Sequence, residues 1–551
     1  MPGGLIQLVN KGAQDHLITG SPSFTHFRSV YKRHTEFAME HFVLNFRGTN
    51  LNLSPQTTKT FRVKVDRNAQ LLHDCYVHVT IPDIYSPVSP KGDGTATGYN
   101  FQWIPNLGYN MIRKVSVLVN GTAIVTHTGE WMKLYSYLNF NANKRAVVDR
   151  MIGNVPELTD PANAYGLFNQ YPHSITTTKS QAQPSIAGRE LVIPLHFWFC
   201  EDIGAALPLV ALQYSEVEFV IEFNNIYSLF TVNDVRQTSS SYNTRIAPDL
   251  GDPIFGMQNF LSPPNVDTTP HNPSLINWEL RPFIESTYIF LSDAEVVQLA
   301  KSDNAFIFRE VRLVQSDGIY GAGNDIELTM ANLCTQLVWV AQRNDVILNN
   351  GVDNYTNWVD PNKPPISTSN LSRLNQLYSS GNILTNNISE RDIIVNATLI
   401  LDGTEREPTK SNIFYNLLQQ YSHYDGLFLP GVYSYSFSAK HDKQPSGHIN
   451  GSMFNKTILR LTSQDPPAPD EYNGFVLQGT TEPVCVLRST ALDKRPVPVI
   501  NTTGLNPEQT ITIINKPDTQ VRSYTYSIRV YVESYNFLRI TRGIANVVFS
   551  S

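Results

Sequence analysis

The sequence is poor in charged residues, in cysteine and in long hydrophobic runs. Of its 551 residues only 16% are Asp, Glu, Lys or Arg, against about 25% in an average soluble protein. The net charge of −6 argues against a nucleic-acid-binding protein, because such proteins normally carry a basic surplus. The four cysteines lie far apart and form no C-x-x-C pair, which favours a reducing compartment over a disulfide framework.

Signal, membrane and enzyme motifs are also missing from the sequence. The N-terminus has no basic region before its short apolar run, so no secretory signal is expected. No stretch reaches the roughly 20 apolar residues of a membrane-spanning helix. Phosphate loops, dinucleotide motifs, nucleophile elbows, zinc-protease motifs and EF-hands are absent, and GDGTATG at 92–98 is interpreted as a loop tip.

Alternating apolar and polar residues recur along the chain and predict half-buried strands, for example at 61–65, 217–223 and 524–532. Abundant Tyr, Phe and Thr favour strands, whereas Asn, Ser, Gly and Pro favour turns. The most apolar run, at 191–200, is interpreted as a strand buried on both faces. We therefore predict an all-β fold with a few short helices and long surface loops.

An internal duplication is indicated by two segments with the same succession of strand, turn and helix. VSVLVNGT at 115–122 and ATLILDGT at 397–404 each end in an Asn-Gly or Asp-Gly turn signal. Amphipathic helices are predicted shortly after each segment, over 131–138 and 414–421. FRSV at 27–30 and FREV at 308–311 match at nearly the same offset. The chain therefore looks like two copies of one β unit.

The two copies are expected to join near 292–303, where the S-x-x-E pattern from Ser292 predicts a short helix. The chain length suits two large all-β domains as well as three or four average ones. Three stretches rich in Ser, Asn, Pro or acidic residues, at 231–276, 349–390 and 463–474, are interpreted as insertions into the two units.

Two histidine-containing groups raise the possibility of a metal site, because His, Cys and carboxylate side chains are common metal ligands. The H-x-H signature of metal-binding cupins is absent, so structural histidines are the preferred interpretation. The first group is His73, Asp74, Cys75 and His78. The second group is His34, Glu36, Glu40 and His41.

Three carboxylates, Glu216, Glu218 and Glu222, are expected on one face of a strand. Paired carboxylates can hydrolyse glycosides, but a solvated or interface face is the preferred interpretation. No catalytic, cofactor-binding or metal-binding residue is therefore predicted.

A basic cluster and several glycosylation sequons complete the candidate residues. The cluster could contact phosphates or an anionic membrane surface, or it could be the wet face of a strand. The sequons are interpreted mostly as chance matches in an Asn-rich chain. The cluster consists of Arg28, Lys32, Arg33 and His34. The sequons include Asn52, Asn354, Asn370, Asn387, Asn396, Asn450 and Asn501.

Several long blocks of the sequence closely resemble the major capsid proteins of nucleocytoplasmic large DNA viruses. The N-terminal block GGLIQLVNKGAQDHLITGSPSFTHFRSVYKRHTEFAME is the longest of them. The blocks occur in the family's order and cover both ends of the chain. The insertions and Asp402, where the family usually has Asn, depart from the pattern. The blocks are 3–40, 193–219, 288–300, 399–407, 431–459 and 528–550.

The resemblance implies two tandem eight-stranded antiparallel jelly rolls and a structural, non-enzymatic role without cofactors. Three chains would form a pseudo-hexagonal capsomer, since a trimer of a two-fold repeat has approximate six-fold shape. Expected partners are neighbouring capsomers and minor capsid proteins, with an underlying membrane and surface glycans left open and no specific nucleic-acid binding. The implied location is the virion, after assembly in the host cytoplasm.

The resemblance also implies a division of the chain into domains. The segments are an inner arm (1–25), a first jelly roll (26–292, with the insertion at 231–276), a linker helix (293–303) and a second jelly roll (304–551, with the insertion at 349–390). The longest loops would project outward as towers.

Two other functions remain open on the sequence alone. A viral jelly-roll scaffold that shapes a membrane transiently would be lost from the mature particle, so its abundance in purified virions would be low. A carbohydrate-active or carbohydrate-binding β-sandwich would be a monomer with a concave site of aromatic and carboxylate side chains.

Overall fold

The computed structural model describes most of both halves of the chain. The described residues are 3–48, 51–86, 100–167, 170–172, 174, 183–233, 245–248, 256–261, 278–301, 303–358, 361, 391–441, 444–464, 473–477, 511–515 and 524–549. The segment 92–98 and the sequons Asn370, Asn387 and Asn501 lie outside them.

Strands dominate both halves, and every strand pair in the described residues is antiparallel. The first half contains β1 (Phe37–Asn45), β2 (Lys59–Lys64), β3 (Leu71–Ile81), β4 (Gln102–Trp103), β5 (Ile112–Val119), β6 (Thr122–Thr128), β7 (Arg189–Pro194), β8 (Leu207–Pro208), β9 (Val217–Phe223), β10 (Phe230–Asn233), β11 (Arg245–Ile246) and β12 (Phe283–Leu291). The second half contains β13 (Asn304–Ile319), β14 (Asn324–Leu328), β15 (Leu333–Arg343), β16 (Ile394–Leu401), β17 (Thr404–Glu405), β18 (Lys410–Ser411), β19 (Val432–Ser436), β20 (Ile449–Asn450), β21 (Thr457–Ser463), β22 (Asn473–Leu477), β23 (Ile511–Asn515), β24 (Tyr526–Thr541) and β25 (Ile544–Val547).

The helices in the described residues are short. The α-helices are α1 (Gly3–Val9), α2 (Asp15–Thr19), α3 (Leu107–Met111), α4 (Gly129–Asn139), α5 (Ala142–Met151), α6 (Pro156–Thr159), α7 (Trp198–Glu201), α8 (Asp293–Lys301) and α9 (Gln419–His423). A π-helical turn, Phe414–Leu418, runs directly into α9. Single 3-10 turns are Ala164–Gly166, Ile203–Ala205, Ile226–Ser228, Met257–Phe260, Asn344–Asn349 and Gly451–Met453.

In the described residues each half contains a sheet of longer strands and a sheet of shorter strands, called its long and short sheet, and the order of the four main strands is the same in both halves. The first long sheet has the order β1-β12-β3-β7, and the second has the order β13-β24-β15-β19. The first short sheet has the order β2-β9-β5-β6, and the second has the order β14-β21-β16-β17. Two facing sheets with this repeated order are two tandem jelly rolls, which confirms the predicted fold class.

The predicted duplication is visible in the backbone of the turn that ends β5 and β16. Asn120 and Gly121 have φ values of 52° and 80°, and Asp402 and Gly403 have φ values of 46° and 82°. Two successive positive φ angles are the type I′ hairpin turn that Asn-Gly and Asp-Gly favour. The same β-bulge also interrupts both strands, after Ile112 and after Ile394.

The second sequence match that supported the duplication is wrong. FREV at 308–311 lies within β13, but FRSV at 27–30 is exposed and belongs to no strand. The strand order makes β1, which begins at Phe37, the counterpart of β13. Loops of unequal length separate the strands of the two halves, so one offset cannot relate all of them.

The apolar run 191–200 is not a single strand, contrary to the prediction. β7 ends at Pro194, and residues Trp198–Glu201 form α7. Within β7 the burial alternates, so only one face is fully buried. The predicted helices at 131–138, after Ser292 and at 414–421 are present as α4, as α8 and as the π-turn with α9.

The described residues form two apolar cores. One lies inside the second roll, and the other fills the first roll and extends onto the outer face of the second long sheet, where Val338, Val340 and Tyr531 are at most 1% exposed. The predicted surface loop 349–390 begins inside this packed region, because Tyr355 and Trp358 are buried. The predicted insertion 231–276 contributes β11 and most of β10, which form a small sheet with β4.

Candidate functional site

The first histidine group lies on β3, where its members are held by structural contacts. His73 contacts the Phe199 carbonyl oxygen through Nδ1 at 2.5 Å. The His78 ring lies between two carboxylates, 2.8 Å from Glu190 and 3.1 Å from Glu285. Among the described residues no three His, Cys, Asp or Glu side chains converge as metal ligands would.

The second histidine group is spread along an exposed segment and the start of β1. His34 Nδ1 lies 2.7 Å from the carbonyl oxygen of its neighbour Thr35. His41 lies on β1, with its Nδ1 3.8 Å from Glu285. Glu36 and Glu40 are exposed. The structure therefore does not bring this group together.

The three carboxylates Glu216, Glu218 and Glu222 lie on the solvent side of β9 and just before it. Lys64 donates a hydrogen bond that lowers the pKa of Glu216. Glu222 lies 3.1 Å from both Arg113 and Lys114. Cations on the neighbouring strands thus balance this face, as expected of a solvated strand face.

The basic cluster Arg28, Lys32, Arg33 and His34 is exposed and precedes β1. One of its two interpretations, the wet face of a strand, is wrong, because residues 20–36 form no strand. Among the sequons, Asn354 is 4% exposed and donates its side-chain amide to the Trp358 carbonyl oxygen at 2.7 Å. A glycan cannot attach to this side chain in the folded molecule.

The N-terminal segment 3–36 has no buried side chain among those that the structure describes. From Gly3 to Glu36 every residue with a described side chain is exposed, including Leu17 at 87% and Phe27 at 99%. Exposed apolar side chains in such number are typical of a surface that another molecule covers. None of the helices among the described residues has the length and apolar character that a membrane crossing requires.

The most elaborate site in the molecule is the seam between the two rolls, where α4 packs on the outer face of the second long sheet. Glu130 receives hydrogen bonds from Arg529 at 2.6 and 2.7 Å and from Tyr355 at 2.7 Å. Tyr531 donates another to the same carboxylate, and its ring lies 5.3 Å from that of Trp131. Burial disfavours the charged carboxylate, but Arg529 outweighs it and lowers the pKa of Glu130 to about 2.

A second charged group lies further along the same seam. Arg309 on β13 lies 3.4 Å from Glu533 and 3.9 Å from Glu201 at the end of α7. Burial raises the pKa of Glu201 to about 7, although the positive charge of Arg309 opposes this shift. The two carboxylates therefore share one guanidinium in a poorly solvated place.

The seam closes tightly at the end of α4. Leu427 donates its backbone N–H to the Tyr137 carbonyl oxygen at 2.8 Å. A Cβ on Gly426 would come 1.9 Å from that same oxygen and 2.3 Å from the Leu138 carbonyl oxygen. Only glycine allows the two backbones to approach so closely.

The seam residues were missed by the sequence reasoning. The spacing of Trp131, Leu134, Tyr135 and Leu138 correctly predicted an amphipathic helix, but not that its apolar face covers the other roll. The only sequence signal was a strand with apolar residues on both faces, such as β15, because both of its faces are buried.

Comparison with known proteins identifies the molecule. The family model described as "Major capsid protein N-terminus" matches residues 25–251, and the one described as "Large eukaryotic DNA virus major capsid protein" matches residues 312–482. The chain belongs to the major capsid proteins of large eukaryotic DNA viruses. A major capsid protein of Phaeocystis pouchetii virus is 26% identical over 84% of this chain and 93% of its own length. That of Paramecium bursaria Chlorella virus 1 is 24% identical over 100% of both chains.

Solved capsid proteins have the same fold as this family member. The quasi-atomic model of the PBCV-1 virus capsid aligns with a TM-score of 0.60 at 20% identity, over 96% of this chain and 100% of the other. The Faustovirus major capsid protein aligns with a TM-score of 0.58 at 12% identity, over 97% and 95%. The double jelly roll is thus shared with structural capsid proteins.

Proposed function

We propose that this major capsid protein forms homotrimeric, pseudo-hexagonal capsomers that tile the icosahedral shell of a large double-stranded DNA virus. The observation that carries the proposal is the repeated sheet order of the two halves. Three chains with two equivalent rolls each place six similar units around a three-fold axis.

The division of the chain follows from the same proposal. We assign 1–25 to an inner arm, 26–292 and 304–551 to the two rolls, and 293–303 to the linker. The exposed apolar side chains of the arm support a role in contacting neighbouring capsomers or minor capsid proteins. Outward loops within 231–276 and 349–390, contact with an underlying membrane and surface glycans belong to the proposal as well.

The protein is proposed to act by assembly alone, without cofactor, catalysis or specific nucleic-acid binding, in the host cytoplasm and then in the virion. The proposal predicts that light scattering on the purified chain gives a stable species of three times 62.0 kDa. Negative-stain images should show hexagonal outlines. A clean monomer at every concentration tested would contradict the trimer and favour a monomeric sandwich. Absence of the chain from purified virions would favour a transient scaffold.

A further inference from the structure

The helix that follows the Asp-Gly turn has an apolar face that its own chain leaves exposed. Helical turns run from 412 to 423, and the exposed side chains include Ile413 at 61%, Leu418 at 51% and Tyr421 at 89%. In the first roll the matching helix α4 is buried, and Leu138 is 3% exposed. One apolar helix face per chain therefore lacks a cover.

The long sheet of the first roll is equally incomplete. The outer face of the second long sheet is covered by α4, but the matching face of the first long sheet exposes Phe37 at 50%, Met39 at 46% and Val43 at 55%. Among the described residues, each chain thus contains one helix seated on one sheet face, together with a second helix and an edge strand, β1, whose apolar side chains are exposed.

We propose that the 412–423 helix of each chain docks on the first long sheet of a second copy, repeating the seam of α4 between chains. The proposal rests on the trimer proposed above and names its contact surface. Because the donor and acceptor faces differ, the contact is heterologous, and the three-fold rotation of the proposed trimer closes it into a ring. Three internal seams and three such contacts then alternate around the three-fold axis.

The internal seam can be compared, position by position, with the proposed contact between the 412–423 helix and the first long sheet. Strands β3 and β15 both have eleven residues, so His78 corresponds to Val340 and their partners Phe283 and Arg529 correspond to each other. Aligning the first helical residues places Ile413 where α4 has Glu130. The buried pair of Glu130 and Arg529 is thus replaced, on both sides at once, by an apolar pair.

A second pair shows the same exchange. The pairing of β1 with β12 and of β13 with β24 makes Met39 the counterpart of Arg309. The helix alignment makes Leu418 the counterpart of Tyr135, whose hydroxyl lies in the field of Arg309 and Glu201. Leu418 and Met39 therefore replace a polar pair by an apolar one.

The test exchanges charge across the proposed contact. Ile413→Glu should raise the concentration at which half of the trimer dissociates by about tenfold or more, because it buries an unpaired charge. Phe283→Arg should raise it as well, because it removes the apolar partner of Ile413. The double variant recreates the pair of Glu130 and Arg529 between chains, so it should recover much of the loss. Tyr421→Ser should weaken the trimer without affecting the fold, since this side chain is 89% exposed.

Met453→Glu is the matched control, because Met453 is 73% exposed and lies outside both faces. Light scattering over a concentration series measures dissociation for all variants, and the unfolding midpoint of each chain reports on folding. A wild-type trimer whose dissociation is unaltered by the single changes would overturn the contact surface and leave the trimer standing. So would a double variant no better than its parents. A wild-type chain that stays monomeric would overturn both proposals.

Discussion

The helix after the Asn-Gly turn is buried in the first roll, whereas the helix after the Asp-Gly turn is half exposed in the second. The long sheets show the reverse pattern, since the second is covered on its outer face whereas the edge strand β1 of the first exposes Phe37, Met39 and Val43. Strand order and turn geometry are therefore shared by the two rolls, while the covering of their surfaces is not. The two copies have thus kept the same fold but use their surfaces differently. The helix α4 and the second long sheet pack against each other within the chain, whereas the 412–423 helix and strand β1 of the first long sheet expose apolar side chains.

The largest effect is expected when the charged pair of the internal seam is broken. Glu130→Ala leaves the Arg529 guanidinium and the Tyr531 hydroxyl without their acceptor in a buried place. The expected loss is about 4 kcal/mol in the free energy of unfolding. Denaturant titration measures it. Glu216→Ala, at an exposed ion pair with Lys64, is the control and should leave the midpoint unchanged. If Glu130→Ala and Glu216→Ala lost the same amount of unfolding free energy, the charge of Glu130 would have no special structural role in the seam.

The next effect concerns the close approach of backbone at the end of α4. Gly426→Ala should lower stability by about 3 kcal/mol, because the added Cβ would meet two backbone oxygens that cannot move aside. Gly204→Ala is a suitable control, since a Cβ there meets only the Asp202 side chain at 3.6 Å or more. Thermal unfolding of both variants provides the comparison, and a stable Gly426→Ala chain would show that the seam is looser than described.

A smaller, pH-dependent effect is expected at Glu201. Its pKa is raised to about 7 in the folded chain from a usual value of 4.5, so the folded state holds the proton more tightly. The resulting stabilisation is complete below about pH 4.5 and is lost as the pH rises through 7. Glu201→Gln should abolish a loss on the order of 2 kcal/mol between pH 5 and pH 8. Unfolding curves across this range measure it. If the pH dependence of the unfolding free energy were the same in Glu201→Gln as in the wild type, Glu201 would not be the group that binds the proton.

The smallest effects test whether the two turns are equivalent. Asn120 Oδ1 accepts the Glu216 backbone N–H at 3.0 Å, and Asp402 Oδ1 accepts that of Lys456 at 2.8 Å. Replacing either residue by Ala should lower the free energy of unfolding by about 1 kcal/mol. Alanine adopts the left-handed backbone conformation less readily than Asn or Asp, and the side-chain hydrogen bond is lost. Asp402→Asn keeps both features and should be neutral. Clearly unequal costs in stability measurements would contradict the equivalence.

The sequence predicted the fold because alternation, turn signals and helix spacing are local properties. The turns at Asn120 and Asp402 and the helix α4 were found in this way. The burial of Tyr355 and the exposure of Leu418 were not predicted, because both depend on which surface lies opposite. The match of 27–30 with 308–311 failed because four-residue matches carry little information. The charges of the seam are spread over distant strands, and only the folded chain brings Glu130 next to Arg529.

The outer face of the second long sheet has a consequence for how the chain is made. Val338, Val340 and Val432 on this face are nearly inaccessible and belong to the core that also fills the first roll. The ribosome synthesises residues 1–292 before the rest of the chain. We therefore expect the first roll to have folded, and to be able to cover this apolar face, when the second roll emerges. We expect residues 304–551 synthesised alone to lose the part of this cover that the first roll supplies, and to aggregate more readily than the full chain. The N-terminal position of the first roll is therefore expected to protect the second roll during synthesis.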